Sequence, residues 1–396
     1  MAVAYVLFYS GLFVLLYTYA GYGILIFIFN KIFNKKKLPG IKNHFPAVTL
    51  IVPAFNEAEW LQEKIENCLS LHYPGTVKIL IITDGCTDDT PSILKNYPQL
   101  HWLHQPERKG KMAAINRSMQ YVSTPIVVFT DANSLLNKDC LQHIVKHYAN
   151  EKVGGVAGEK KIFSSVQPSG IAYTEGLYWQ YESTLKQLDS DFNTVVGAAG
   201  ELFSMRTELF QPQNENIILD DFMLSMKICI DGYKVVYEPN AFAIESASLN
   251  IEEERKRRVR IAAGAFQTIP LLWRYFLIVK KPLLYFQYFS RRILRWVACP
   301  VCLVLVYFSN AIIISDLPLA SFFTYFFILQ NVFYAIALAG GFWYRAGISL
   351  NVFFLPFYFV FMNALLVEGF IKNLSGKQTV LWEKSKRRLI HMHTDS

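Results

Sequence analysis

Residues 48–57 read Val48-Thr49-Leu50-Ile51-Val52-Pro53-Ala54-Phe55-Asn56-Glu57, a short apolar, β-branched run that ends in an amide and a carboxylate. Two further runs have the same form. Residues 78–83 lead into Asp84-Gly85-Cys86-Thr87-Asp88-Asp89-Thr90, and residues 126–130 lead into Asp131-Ala132-Asn133. Helix-like stretches at 57–70, 89–96 and 111–121 lie between them. Strands that alternate with helices predict an α/β domain with a mostly parallel sheet covered on both faces. In such sheets ligands bind beyond the carboxyl ends of the strands, so the residues after each run are the ones to inspect.

Those residues are acids and amides. Later in the chain, Leu219-Asp220-Asp221-Phe222 opens another helix-like run. A rim of carboxylates repels an anionic ligand unless a divalent cation sits between them. Hard cations such as magnesium or manganese take carboxylate oxygens together with substrate phosphates. A nucleoside diphosphate held through a metal is the economical reading. The bland reading is that Asp and Asn are ordinary turn and N-cap residues. It is preferred for Asp88 and Asp89, stands at even odds for Asp131 alone, and makes Asp220-Asp221 an N-cap pair if they are taken alone.

Composition narrows the class. Of 396 residues, 53% are hydrophobic and 18% charged, with a net charge of +8. Disordered, collagen-like and disulfide-scaffold chains are excluded, and a purely soluble enzyme is disfavoured. Residues 4–29 carry no charge and are long enough to cross a bilayer. Lys31, Lys35, Lys36 and Lys37 follow, so the segment reads as an uncleaved anchor with the next part cytoplasmic. Residues 282–296 mix aromatics with Arg291, Arg292 and Arg295 and read as an interfacial amphipathic helix. Residues 297–314, 319–339 and 352–371 are candidate spans. Three crossings would carry the basic tail outside, against the positive-inside rule; a broken or re-entrant last segment around Pro356 would resolve this and keep the tail cytoplasmic, the expected side. The expected division is a transmembrane anchor at 1–30, a cytoplasmic domain at 45–267, interfacial helices at 268–296, a membrane region at 297–371 and a basic tail at 372–396. The six cysteines show no zinc-like spacing in the soluble part; Cys299 and Cys302 read as packing residues. No nucleic-acid motif is present. His143 and His147, four apart, lack the glutamate of a zinc-protease helix and read as structural.

The ordered set Val52-Pro53-Ala54-Phe55-Asn56-Glu57, Thr83-Asp84-Gly85-Cys86-Thr87-Asp88, Lys109-Gly110-Lys111, Thr130-Asp131-Ala132-Asn133 and Leu219-Asp220-Asp221 resembles the family 2 glycosyltransferases, and most closely their membrane-integrated branch of hyaluronan, chitin, cellulose and bacterial cell-surface glycan synthases. The resemblance implies a nucleotide-sugar-binding Rossmann-like domain of the GT-A type and an inverting transferase. It implies that Pro53, Asn56, Glu57 and Asp84 serve the nucleotide, and that Lys111 and Arg260 face nucleotide or phosphate. Asp131 and Asn133 fall on the D-x-D motif that holds metal and diphosphate, with Asn133 departing from the second aspartate. Asp221 falls on the catalytic base, with Asp220 replacing the usual Glu beside it. Gly200 and Glu201 lie in a small-residue segment near the acceptor, where tight packing is an equal alternative.

Within residues 255–264, alignment on Gly264 puts Arg257, Arg260 and Ile261 at the Gln, Arg and Trp of the processive Q-x-x-R-W motif. Only the arginine is kept, which speaks against long polymers. Arg255, Lys256 and Arg258 read as a solvated or lipid-facing helix face balanced by Glu252, Glu253 and Glu254. The implied reaction moves a sugar from a nucleotide-diphosphate sugar, a UDP-sugar by expectation, to a hydroxyl of a membrane-associated glycan or lipid acceptor. The expected place is the plasma membrane, the inner membrane of a bacterium, in contact with membrane lipids. Alternatives are a single-addition polyprenyl-phosphate or lipid sugar transferase, and a non-catalytic membrane scaffold on the same fold.

Overall fold

The computed structural model describes residues 1–33, 45–163, 170–278, 280–346, 351–376 and 381. Eight strands form one sheet: β1 (Val48–Ala54), β2 (Val77–Asp84), β3 (His101–Gln105), β4 (Ile126–Phe129), β5 (Ser134–Leu136), β6 (Val153–Phe163), β7 (Phe203–Arg206) and β8 (Lys234–Ser246). Their spatial order is β3-β2-β1-β4-β7-β6-β8-β5. The half β3-β2-β1-β4 is parallel, as the alternating pattern predicts. β7 runs antiparallel to both β4 and β6, so the sheet as a whole is mixed.

β1 is buried at all seven positions. Its side chains alternate between faces because the strand period is two. Ile51 packs in one core layer with Met112, Ile115 and Leu224, whereas Leu50 and Val52 pack in the other with Leu61, Ile65 and Ile144. Helices Lys111–Met119 and Asp220–Ile230 thus cover one face, and Ala58–Leu69 and Cys140–Val145 the other. The carboxyl ends of β1, β2 and β4 come out side by side.

Among the described residues, four helices are long and apolar enough to cross a membrane: Ala2–Phe33, Pro282–Ile314, Phe322–Arg345 and Phe353–Leu374. Two differences from the sequence reading stand out. Residues 282–296 are not a separate surface helix but the first part of one helical rod that continues to Ile314, through a π-helical stretch at Phe289–Ala298. Nor is the last apolar segment broken, since Asn351–Leu374 runs helical through Pro356. Pro356 removes one intrahelical N–H donor, and the helix continues past it. Most of the basic tail lies outside the described residues.

The expected interfacial arginines are turned inward. Arg291 is 2% exposed and pairs with Asp189 and with Glu182, both on the helix Ile171–Phe192. Arg292 and Arg295 also reach Glu182. Tyr22, from the N-terminal helix, donates to Asp189, and Gln287 Nε2 donates to the Thr194 carbonyl at 3.0 Å. Ionic and polar groups therefore key the α/β domain to the membrane helices. Breaking a buried pair from one side leaves an uncompensated charge, which costs about 3–5 kcal/mol. Arg291→Met should lower the melting temperature in detergent by a loss of that size, and Arg291→Met with Asp189→Asn should recover most of it. A single variant that melts like the wild type would refute this account.

Candidate active site

The strand-end residues are tied to one another before any ligand is considered. Asn56 adopts a left-handed backbone, φ 54°, a conformation amide and acid residues tolerate best. Its side chain accepts from Thr87 N at 2.8 Å and donates to Thr87 Oγ1 at 3.1 Å, joining the loops after β1 and β2. Asp88 accepts from Thr90 N at 3.0 Å and from Ala58 N at 3.1 Å, so it caps two helices, one more than the sequence suggested. Asp84 is fully buried. Its Oδ2 accepts from Lys109 N at 3.0 Å and Gly110 N at 2.7 Å, holding the turn that starts the helix Lys111–Met119, while its Oδ1 has no hydrogen-bond partner among the described residues. Asp84 is the one strand-end acid of the predicted set that does not line the main cavity.

That cavity, about 610 Å³, is lined by Pro53, Glu57, Lys111, Asp131, Asn133, Gly200, Glu201, Asp220, Asp221, Arg257 and Arg260. Eleven of the thirteen residues predicted for the site therefore share it; Asn56 and Asp84 are not part of its lining. Lys111 is the link. Its Nζ lies 2.8 Å from Asp131 Oδ1 and 3.6 Å from Asp220 Oδ2. Burial opposes the ammonium charge, but Asp131, Asp220 and Asp221 outweigh it and hold the lysine protonated above its usual range. Burial pushes the Asp131 carboxyl up against the pull of Lys111. Burial, then the Asp220 charge, push the Asp221 carboxyl up to about 7, with Lys111 opposing. Asp220 and Asp221 start the helix Asp220–Ile230, where the helix dipole favours them. Gly200 gives them room: a Cβ there would stand 3.1 Å from Lys111 Nζ and 3.2 Å from Asp221 Oδ2.

The arginines divide by role. Arg260 enters the cavity, and its Nε is buried with no partner among the described residues. Burial lowers its pKa, against the nearby Asp220 and Asp221. Arg257 also lines the cavity but is held by Glu175 and Glu254. Arg258 corrects the sequence reading. It is 6% exposed, pairs with Glu254 at 2.7 Å and lies over the Tyr178 ring at 4.5 Å, so it belongs to the interior and not to a solvated face. Arg255 pairs with Glu368 and Lys256 with Glu253 on more exposed positions.

Several site residues had escaped the sequence reading. Lys64 is fully buried and donates to Thr130 Oγ1 at 2.8 Å and to the Ser134 carbonyl at 2.6 Å, which fixes the turn carrying Asp131. Lys160 is held between Glu201 and Glu245. Tyr178, Trp179, Glu182 and Lys186 of the 171–192 helix form another wall of the same cavity. The signal for Lys64 was available: it falls between Leu61, Ile65 and Cys68 on the buried helix face. Among the described residues no group of three or more His, Cys, Asp or Glu could hold a metal alone; His147 instead meets Glu238 at 2.7 Å. The oxygen donors of Asp131 and Asn133 fit a hard cation that arrives with substrate phosphates.

Residues 49–212 match Glycosyl transferase family 2. The poly-beta-1,6-N-acetyl-D-glucosamine synthase of Staphylococcus epidermidis is 24% identical over a 397-residue alignment that takes in 94% of this chain and 95% of that protein. The synthase of the same name from Staphylococcus aureus is 24% identical over 250 residues, 60% of this chain and 59% of its own length. Among solved structures, the mannosyltransferase PcManGT from Pyrobaculum calidifontis, in complex with GDP-Man and Mn2+, has a TM-score of 0.70 at 22% identity and covers 94% of this chain and 99% of that one. That likeness bears out the GT-A type of fold. Residues 49–212, which carry Lys111, Asp131 and Gly200 of the acid-lined crevice, thus match a family 2 glycosyltransferase domain, and the chain is a glycosyltransferase similar over nearly its whole length to poly-beta-1,6-N-acetyl-D-glucosamine synthase.

Proposed function

We propose that this enzyme transfers N-acetylglucosamine from its UDP derivative to a hydroxyl of a membrane-associated glycan, with inversion at the anomeric carbon and Asp221 as the base. The observation that carries the reading is the shared cavity of Asp221, Lys111, Asp131 and Arg260. A carboxyl poised at about 7 can take a proton from an attacking hydroxyl at neutral pH. Lys111 and Arg260 are placed to face the leaving diphosphate, where fixed cations stabilise developing charge. Asp131 and Asn133 would hold a magnesium or manganese ion, whose chemistry is to polarise phosphate oxygens. Pro53 and Glu57 would border the nucleotide, and Asn56 and Asp84 would shape its loops from within, with Arg117 3.9 Å from the buried Asp84 Oδ1.

The α/β domain is proposed to face the cytoplasm, with the tail on the same side. The 351–374 helix supports this. Near its start Asn351 accepts from Gly170 N at 3.0 Å, and near its end Lys372 lines the catalytic cavity. A helix whose two ends both meet the α/β domain lies along that domain's membrane face and does not cross the bilayer. Three crossings then remain, at 2–33, 282–314 and 322–345, with the anchor's first residues outside. The charge conflict at the tail is removed without any break at Pro356.

A second reading has one observation in its favour. An apolar cavity of about 330 Å³ among the membrane-side helices shares Tyr178, Arg258, Ile261 and Trp296 with the catalytic cavity. That continuity suits a lipid-linked acceptor receiving one sugar. Product extracted into organic solvent, and not retained as polymer on a gel, would favour it.

Asp221→Asn should reduce transfer by about 10³-fold while leaving UDP affinity within about twofold; full activity would remove the mechanism. Because a raised carboxyl pKa means a protonated base at low pH, kcat should climb from about pH 5 to about pH 8 with its bend near 7, and the bend should vanish if Asp221 is not the base. Arg260→Met should weaken UDP binding about tenfold by calorimetry. A cysteine at Ser375 should react with an impermeant maleimide from the same membrane face as one at Glu151; labelling from opposite faces would overturn the topology.

A further inference from the structure

Most buried cations in the cavity wall have a hydrogen-bonded partner of their own. Lys160 has Glu201 and Glu245, Arg257 has Glu175 and Glu254, Arg258 has Glu254, and Arg292 has the Val196 carbonyl and Glu182. On the 171–192 helix two donors do not. Lys186 is 2% exposed, and its Nζ has no hydrogen-bond partner among the described residues; the same is true of the buried Trp179 Nε1. A buried donor without an acceptor costs about 1–3 kcal/mol, more when charged. Both residues line the cavity into which Asp221 and Gly200 project.

The position of these donors follows from their neighbours. Lys160, bound to Glu201, stands 4.8 Å from the centre of the Trp179 ring, and Lys186 stands 5.4 Å from it. Glu201 is near enough to Asp221 for its charge to raise that carboxyl. Trp179, Lys186, Glu201 and Asp221 all line the one cavity. Lys111, Asp131 and Arg260 are charged members of the same lining, to which Tyr178 and Trp296 add aromatic rings.

We propose that Trp179 and Lys186 seat the acceptor: the indole N–H and the ammonium bind oxygens of its terminal sugar ring, which brings a ring hydroxyl to Asp221. The inference rests on the glycosyltransferase reading above. A ligand here must offer uncharged oxygen acceptors beside an apolar face, because Lys186 stands near the Trp179 and Tyr237 rings and among carboxylates. A pyranose has both. A second phosphate fits worse, since the carboxylates of Glu159, Glu201 and Glu182 already act on Lys186 and would repel it. The small residues Gly197, Ala198, Ala199 and Gly200 leave space in the same cavity.

The test uses the full chain in nanodiscs with UDP-N-acetylglucosamine and manganese, and a β-1,6-linked N-acetylglucosamine trisaccharide as the acceptor probe. Trp179→Phe and Lys186→Met should each raise the acceptor KM about tenfold, the worth of one lost hydrogen bond, while the donor KM stays within about twofold. Lys186→Arg, which restores a cationic donor, should recover part of the loss. UDP binding by calorimetry reports whether each variant is folded, and Lys186→Gln carries the same comparison should the methionine variant fail that check. An unchanged acceptor KM, or a donor KM that rises equally, overturns the seat. So does a wild type that releases UDP but neither elongates nor responds to the trisaccharide. A wild type that does not bind UDP-N-acetylglucosamine would instead sink the function reading itself.

Discussion

The site depends on one ammonium. Lys111 Nζ, 2.8 Å from Asp131 and 3.6 Å from Asp220, stands among carboxylates that would otherwise repel each other in a poorly solvated space. Unit charges about 4 Å apart interact by roughly 4 kcal/mol at a protein-like dielectric, so several acids in one cavity cannot all remain ionised without a counter-charge. Lys111 starts a helix whose entry turn is held by Asp84, Asp131 follows β4, and Asp220 and Asp221 start a helix about ninety residues later. One cation thus couples three parts of the chain. Burial first, and then the Asp220 charge, push the Asp221 carboxyl up to about 7 against the pull of Lys111. The electrostatic arrangement that holds the cavity together thus also acts on the protonation of Asp221, the proposed base.

Around this centre, other charges are buried and paired. Lys64 fixes the turn before Asp131, and Lys160 joins Glu201 to Glu245 on β8. Buried pairs are weak sources of net stability, but they penalise misplacement heavily. Here they define where loops sit more than how tightly the chain folds. The same logic operates at the membrane side, where Glu182 collects Arg291, Arg292 and Arg295. Glu182 also lines the catalytic cavity, so the contact that docks the membrane helices and the wall of the reaction space are one helix.

Much of this was legible from sequence because it is local. Strand runs of β-branched residues, and the acids that follow them, identified β1, β2 and β4 and eleven residues of the cavity lining, whereas β3 was not read. Arg258 was misread because its partners are remote: Glu254 is a turn away, but the Tyr178 ring and the Tyr358 hydroxyl come from other helices. Arg291 and its neighbours look like an interfacial stripe when only their own helix is considered. Their inward direction is set by Glu182 and Asp189, about a hundred residues earlier.

By itself, the sequence determined the α/β class, the apolar segments and the set of acids at the strand ends, because side-chain periodicity and motif order are properties of neighbouring residues. Only the tertiary structure decided that β7 enters the sheet antiparallel, that Asp84 supports a turn and does not line the cavity, and that Trp179 and Lys186 share a chamber with Asp221. These outcomes turn on which distant segments meet, and a buried charge or donor acquires its meaning only from the partner that folding brings to it.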